Sequence, residues 1–488
     1  MIQLSLKEIA EITGGSIYHA DPDTIVSGSV EFDSRKISNG GIFLCLPGAR
    51  VDGHDFAQTA INAGAVAVLA ARDVGVPAIV VQPQGKSDST GYALEFDDEH
   101  GSGAAVLKAL SALAHAVATR LDMQIVGITG SAGKTSTKDL AATVLTKAGE
   151  VIAPPGSFNN EIGHPYTVLR CSTSTDFLVA EMSARRIGNI AELAAIAPPT
   201  VGAVLNVGSA HLGEFGSREG IAQAKGELVE ALPPQGTAIL NLDNDLVAPM
   251  KSRTHAKVLY FSAEQPADIY ATDIHLDEQS RAHFALHIGE DSRMVNLQVH
   301  GEHQVPNALA AAAIGHAVGI PIAQIAAALS EHTAASAHRM DVQTRPDGVV
   351  IIDDAYNANP ESMRAGLKAL GAMARSRGTT AWAVLGEMGE MGDNAEAEHA
   401  AIAEVLRAQE IEQLIVVDVS PATRAMVEAA RAQGITTQVA KDCVAAAKLV
   451  QPHPGDCVLA KASNAQKLWE VAEALRAVDC EKRKNPTP

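Results

Sequence analysis

The stretch that decides the fold is Thr129-Gly130-Ser131-Ala132-Gly133-Lys134-Thr135-Ser136. The apolar run Ile125-Val126-Gly127-Ile128 before it reads as a buried strand. After it, Leu140, Val144 and Ala148 fall at helical spacing between Thr135 and Lys147, and Gly149 is placed to cap the end. A strand, a glycine turn and a helix N-terminus make a phosphate cradle, in which backbone N–H groups and the helix dipole face the anion and Lys134 adds charge. The Thr135 hydroxyl is then placed to ligate Mg²⁺. Ile128 stands where the strict phosphate-loop pattern has glycine, so the match is to the Gly-Lys-Thr end. The alternative is a tight turn bearing a solvent lysine.

Working outward, 488 residues are too many for one core, and about three domains are expected. A hydrophobic content of 47% with 19% charged residues describes a globular chain. No run of eighteen apolar residues occurs, and the first thirty residues show no basic-then-apolar leader. The expectation is a cytoplasmic protein without membrane insertion. Five scattered cysteines, Cys45, Cys171, Cys443, Cys457 and Cys480, lack metal-ligand spacing and read as reduced thiols. A net charge of −19 argues against nucleic acid as partner, so an anionic substrate needs a local positive site.

Residues 1–103 read as a small α/β unit, with strands at Ile42 to Leu46, Ala65 to Leu69 and Ala78 to Val81 and a helix from Phe56 to Ala63. Asp33-Ser34-Arg35 and Asp52-Gly53-His54-Asp55 are polar loops beside the first strand, able to grip a phosphate or sugar or simply to turn. Residues 104–334 form a central unit whose polar residues recur at strand ends, where open α/β sheets place ligands. Phe177 to Ala180 ends at Glu181, and Val201 to Val207 ends before His211. A carboxylate and an imidazole beside a phosphate loop can hold Mg²⁺ against substrate phosphate. The alternative for His211 is a buried, satisfied histidine. Alternation around Phe284 to Ile288 predicts an antiparallel extension. From residue 335 to 488, strands at Val349 to Ile352, Ala381 to Leu385, Leu414 to Val417 and Val458 to Ala460 alternate with helices in a Rossmann-like pattern.

Taken together these stretches resemble the Mur ligases, ATP-dependent amide ligases that build the peptide of bacterial cell-wall precursors. The resemblance covers nearly the whole chain. Gly130 to Thr135, Glu181, Ala210-His211-Leu212, Ala224-Lys225-Gly226-Glu227, Asn307 and Arg339 are shared across the family. Ser157-Phe158-Asn159-Asn160-Glu161-Ile162-Gly163 and Asp353-Asp354-Ala355-Tyr356-Asn357-Ala358-Asn359-Pro360 are similar to the signatures of members that join D-alanyl-D-alanine to UDP-N-acetylmuramoyl-tripeptide.

The resemblance implies an α/β protein of three domains: a nucleotide-sugar-binding domain, a central ATPase-like domain and a C-terminal Rossmann-like domain. It implies that Gly130, Ser131, Ala132, Gly133, Lys134, Thr135 and Ser136 bind ATP phosphates, with Asn307 on adenine, Arg339 on the γ-phosphate and Asp354 on the ribose. Thr135, Glu181 and His211 would surround Mg²⁺, and a carbamylated Lys225 would hold a second Mg²⁺. Without the resemblance, Lys225 reads as a surface lysine. Lys134, Lys225, His211 and Arg339 are thus the expected catalytic residues. Ser34, Arg35, Asp52 and His54 would hold the uridine nucleotide, with Asn159, Asn160, Asn357, Asn359 and Lys461 on the remaining substrate. A monomer acting on small molecules is expected. His164, Ser183, Ala462 and Asn464 depart from the family's usual residues. Asp393-Asn394-Ala395-Glu396 lacks the Asp-Asn-Pro-basic pattern of the diamino-acid-adding members. The competing readings are another Mur-type ligase and a phosphate-loop switch that binds ATP without ligating.

Overall fold

The computed structural model describes residues 1–48, 51–83, 85, 98, 100–209 and 212–477. Their strands form three α/β sheets and one two-stranded ribbon, Leu4–Ser5 with Ile25–Val26. The five-stranded amino-terminal sheet has the spatial order Ser16–Tyr18, Ala78–Val80, Ala67–Ala70, Ile42–Leu44 and Val30–Glu31. Only its first strand runs antiparallel to its neighbour.

The nine-stranded central sheet is built around Gln124–Thr129, which pairs in parallel with Phe177–Glu181 on one side and Val201–Val204 on the other. Its residues from Ile125 on are buried, as expected of a strand covered on both faces. Thr237–Asn241, Lys257–Ser262 and Ile269–Leu276 continue in parallel, and Arg281–Ile288 and Asp291–His300 close the sheet antiparallel. The expected antiparallel extension is therefore present. On one face lie the helix Lys134–Leu145 and the alanine-rich helix Gln304–Ala317, in which Ala308 to Ile314 are fully buried. Alanine there lets helix, helix and sheet approach closely: a Cβ on Gly315 would stand 2.5 Å from Val144. The helix Ser102–Arg120 has the length and hydropathy of a membrane span, yet half of that stretch is buried inside the protein. Its Val106, Leu107, Leu110, Leu113 and Val117 pack with Leu6, Ile9, Ile125 and Leu178, as a core helix does.

The six-stranded carboxy-terminal sheet has the order Asp341–Thr344, Val350–Asp353, Cys457–Lys461, Ala381–Leu385, Gln413–Val417 and Thr436–Ala440. The first strand is antiparallel and the others are parallel, so their carboxyl ends share one edge.

Gly149 is not a left-handed helix cap: the helix ends at Leu145, with Thr146 in right-handed geometry closing onto Ala142 and Val144. A glycine is required for another reason, since a Cβ at 149 would lie 2.3 Å from the Asp176 carboxylate, which accepts the Glu150 N–H at 2.7 Å. Cys45, Cys171, Cys443 and Cys457 are free thiols, and Cys480 lies outside the described residues.

Candidate active site

The turn after Gln124–Thr129 is held by its neighbours before any ligand arrives. Asn206, two residues beyond Val201–Val204, accepts from Ala132 N–H at 2.8 Å and donates to the Ala132 carbonyl at 3.1 Å. Gly133 is left-handed, with φ of 82°, and a Cβ there would stand 2.4 Å from Asn307 Oδ1. Both facts demand glycine. Asn307 is itself fixed by donating to Gln304 Oε1 (2.9 Å) and accepting from the Thr137 hydroxyl (3.3 Å). Lys134 opens the helix and folds its ammonium back onto the Gly130 carbonyl at 2.7 Å. Burial lowers its pKa from the ordinary lysine value, an effect that Glu181 opposes.

The Thr135 hydroxyl is the meeting point. It lies 3.0 Å from Glu181 Oε2, 2.8 Å from Ser157 Oγ and 3.3 Å from Arg339 Nη2. Glu181, which is 1% exposed, ends its strand and also accepts from Asn159 Nδ2 at 2.6 Å. Arg339 reaches in from the segment before the carboxy-terminal sheet, donates to Ser157 Oγ at 3.0 Å and lies 4.3 Å over the Tyr356 ring. The flanking residues His338 and Met340 both have positive φ, so the backbone is bent sharply on either side of this side chain. These donors fit a hard divalent cation: one carboxylate and hydroxyl oxygens, with room for substrate phosphate. Among the described residues no three His, Cys, Asp or Glu side chains form a complete cage. His211 lies outside the described residues. Lys225 is buried on the helix Arg218–Glu230, where burial pushes its ammonium well below the usual lysine range and Lys134 adds to the effect.

The expected residues divide between two adjoining cavities. One, of about 670 Å³, is lined by Lys134, Thr135, Asn159, Asn160, Glu181, Arg339, Asn357 and Asn359. The other, of about 240 Å³, is lined by Ser136, Asn307, Arg339, Asp354 and Lys461, with Phe261 and Pro306 as apolar walls. Several of these side chains also hold the structure itself. Asp354 accepts from the buried Lys461 ammonium at 2.6 Å and from Met340 N–H at 3.1 Å. Asn359 caps the helix Pro360–Arg377 and donates to the Ser131 carbonyl at 3.3 Å, joining the carboxy-terminal unit to the phosphate loop. Glu361 adds to that joint by accepting from Ser209 N–H at 2.7 Å. Asn160 Oδ1 accepts from Gly163 N–H at 2.9 Å, at the start of a short helix.

Ser34, Arg35, Asp52 and His54 line neither cavity. Arg35 forks onto Asp33, holding that carboxyl down to about 2. His54 accepts from Ala71 N–H through Nε2, so its Nδ1 carries the proton and donates to Asp52 Oδ1 at 2.6 Å. Ser157, Tyr356, Asn206 and Glu361 received no role from sequence. Their signal was present only as position, since each sits in or beside a stretch already read as a strand end or a signature.

Three family models match in chain order: the Mur ligase family catalytic domain over residues 28–118, the Mur ligase middle domain over 128–315 and the Mur ligase glutamate ligase domain over 338–464. The UDP-N-acetylmuramoyl-tripeptide–D-alanyl-D-alanine ligase of Mycobacterium tuberculosis is 51% identical, covering 98% of this chain and 99% of its own. The chain belongs to the Mur ligase family. Its fold is also that of a solved Mur ligase, MurF from Acinetobacter baumannii, with a TM-score of 0.82 at 27% identity over 98% and 99% of the two chains. A MurF ligase from Thermotoga maritima, solved in complex with ADP, gives a TM-score of 0.73 at 27% identity, with 94% and 99% covered.

Of the residues expected to depart from the family's pattern, Ser183 and Asn464 line the larger cavity, and Ala462 is buried. The fourth departure, His164, has a measurable consequence. His164 is 1% exposed, its Nε2 has no partner among the described residues, and burial lowers its pKa from 6.5 to about 4, opposed by a backbone hydrogen bond with Leu193. Between those values the unfolded chain binds a proton that the folded protein refuses. Stability is therefore full above pH 6.5 and falls as pH drops toward 4. His164→Leu should flatten this part of the Tm–pH curve. An unchanged slope between pH 6.5 and 4 would place the loss elsewhere.

Proposed function

We propose that this chain is an ATP-dependent amide ligase that joins D-alanyl-D-alanine to UDP-N-acetylmuramoyl-tripeptide in the cytoplasm during peptidoglycan precursor synthesis. The observation that carries the reading is the convergence of Lys134, Thr135, Glu181 and Arg339 on one cavity, in a chain 51% identical end to end to a ligase of that name. In this reading residues 1–103 hold the nucleotide-sugar, 104–334 hold ATP, and 335–488 bring the dipeptide.

A peptide carboxylate is a poor electrophile and must be activated. Its oxygen attacks the γ-phosphorus of ATP, ADP leaves, and an acyl phosphate forms. Lys134 and Arg339 meet the negative charge of the transferring group, a contribution made mostly by positioning and electrostatics. Thr135, Glu181 and His211 would hold Mg²⁺, which would supply further charge neutralisation. Asn307 and Asp354 hold the adenosine, and the Asn359 and Glu361 contacts keep the carboxy-terminal unit on the phosphate loop, where it excludes water from the acyl phosphate. The dipeptide amine then attacks the acyl carbon and phosphate departs. Ser34 and Arg35 serve the UDP end, with Asp52 and His54 bracing the loop beside it. A monomer suffices, because one chain supplies every group named.

The Lys225 amine has a specific part in this scheme. Burial disfavours the charged form of this ammonium, and the neutral amine would add to CO₂: an N–C bond forms, one proton leaves, and the resulting carbamate would offer oxygen donors to Mg²⁺.

Purified protein with ATP, Mg²⁺, UDP-N-acetylmuramoyl-tripeptide and D-alanyl-D-alanine should give a mass-spectrometric product equal to the sum of the two peptides less water, with ADP released only when both are present. Steady ADP release without any new amide would identify a nucleotide switch instead. Lys225→Ala should lose at least ~100-fold in turnover, the scale of one lost electrostatic partner. Formate should restore part of it by supplying the missing oxygen donor. Near-normal activity of Lys225→Ala in CO₂-depleted buffer would exclude the carbamate.

A further inference from the structure

An aromatic trio joins the amino-terminal sheet to the loop that touches Thr135 and Glu181. Phe32 follows the strand Val30–Glu31, is 38% exposed, and lies next to Asp33-Ser34-Arg35. Its ring stands 5.3 Å, edge-on, from Tyr166 and 6.4 Å from Phe158, and those two rings are 5.5 Å apart. The Tyr166 hydroxyl donates to Glu31 at 3.2 Å, which adds a polar tie between the same two units. Phe158 is thus gripped from the amino-terminal side.

The two neighbours of Phe158 grip the reaction centre. Ser157 Oγ is bonded to Thr135 Oγ1 and receives Arg339, while Asn159 donates to Glu181 and its carbonyl accepts from Ser183 N–H at 3.0 Å. Phe158 has little freedom to move alone, because its backbone lies where a Cβ on Gly163 would fall, at 2.6 Å. A shift of Phe32 must therefore displace the whole 157–159 loop or break the ring contacts. Chains of packed side chains that have two discrete arrangements can carry energy between sites.

We propose that Phe32, Phe158 and Tyr166 are positioning residues that couple the nucleotide-sugar module to the ATP site. Occupancy beside Ser34 and Arg35 fixes Phe32, Phe32 fixes Phe158, and Phe158 sets Ser157 and Asn159 against Thr135, Glu181 and Arg339. The UDP-linked peptide and the nucleotide then bind cooperatively, and phosphoryl transfer waits for its acceptor. The inference rests on the substrates proposed above.

The test is calorimetric titration of a non-hydrolysable ATP analogue with Mg²⁺, with and without saturating UDP-N-acetylmuramoyl-tripeptide. The unsubstituted protein should bind the analogue at least ~5-fold more tightly when the peptide is present, the lower end of ordinary coupling, and by reciprocity the peptide should gain the same factor. Phe32→Ala should keep its affinity for the analogue alone but reduce the ratio below about twofold, and Phe32→Tyr should restore it. Phe158→Leu, which keeps an apolar group in the packed position, should also lower the ratio. A side chain that merely stabilises the fold would change the melting temperature and leave the ratio intact. An unchanged ratio in Phe32→Ala, or no coupling in a protein that ligates normally, overturns the relay alone. Failure of the unsubstituted protein to bind the peptide at all overturns the proposed substrate together with it.

Discussion

Everything in this molecule's central cleft is arranged around the hydroxyl of Thr135. One oxygen in the first turn of a helix is within hydrogen-bond reach of a buried carboxylate, a loop hydroxyl and a guanidinium drawn from three separate parts of the chain. Such an arrangement is costly to build, since each buried polar group must find a partner. It is stable here because each partner is fixed elsewhere: Glu181 by its strand and by Asn159, Ser157 by its own loop, and Arg339 by Tyr356 and a sharply bent backbone.

Charge follows the same logic. A chain with a formal net charge of −19 must concentrate its positive groups where its anionic substrates bind. Lys134 and Arg339 line one of the two adjoining cavities and Arg339 and Lys461 the other, and Lys225 is buried. The buried lysines are not equivalent. Lys461 is paired with Asp354 and helps hold the carboxy-terminal unit's strand ends together, and Lys138 ties the Pro154 and Gly156 carbonyls to the phosphate-loop helix. Lys225 differs from both, because burial holds its ammonium well below the usual lysine range and the Lys134 charge adds to the effect.

Much of this was legible in the sequence. Continuous apolar runs such as Ile125 to Ile128 and Phe177 to Ala180 announce strands buried on both faces, and the polar residue ending each run marks the ligand edge. Short or polar strands escaped: Ser16–Tyr18, Ile25–Val26, Asp341–Thr344 and Thr436–Ala440 carry too few apolar residues to declare a period. Gly149 was misread because a glycine after a helix signals a left-handed cap, whereas here it makes room for Asp176, a residue 27 positions onward in sequence that pattern reading cannot bring near. Asp52 and His54 show the same limit. Their side chains bond each other and Ala71, so a loop with the composition of a ligand grip is also a braced turn. Ser157 and Phe158 were visible as a signature, but their tie to Thr135 and to Phe32 is set by three-dimensional packing.

The central claim is that the Thr135 hydroxyl, rather than the bulk of its side chain, organises the reaction. Thr135→Val keeps the shape and removes the oxygen, while Thr135→Ser keeps the oxygen and removes the methyl. Ligation rates of the two variants, measured beside their melting temperatures, test the claim directly. The account predicts a loss of at least ~100-fold for the valine variant with the fold retained, and less than ~10-fold for the serine variant. Equal rates in both, or near-normal turnover with valine, would contradict it.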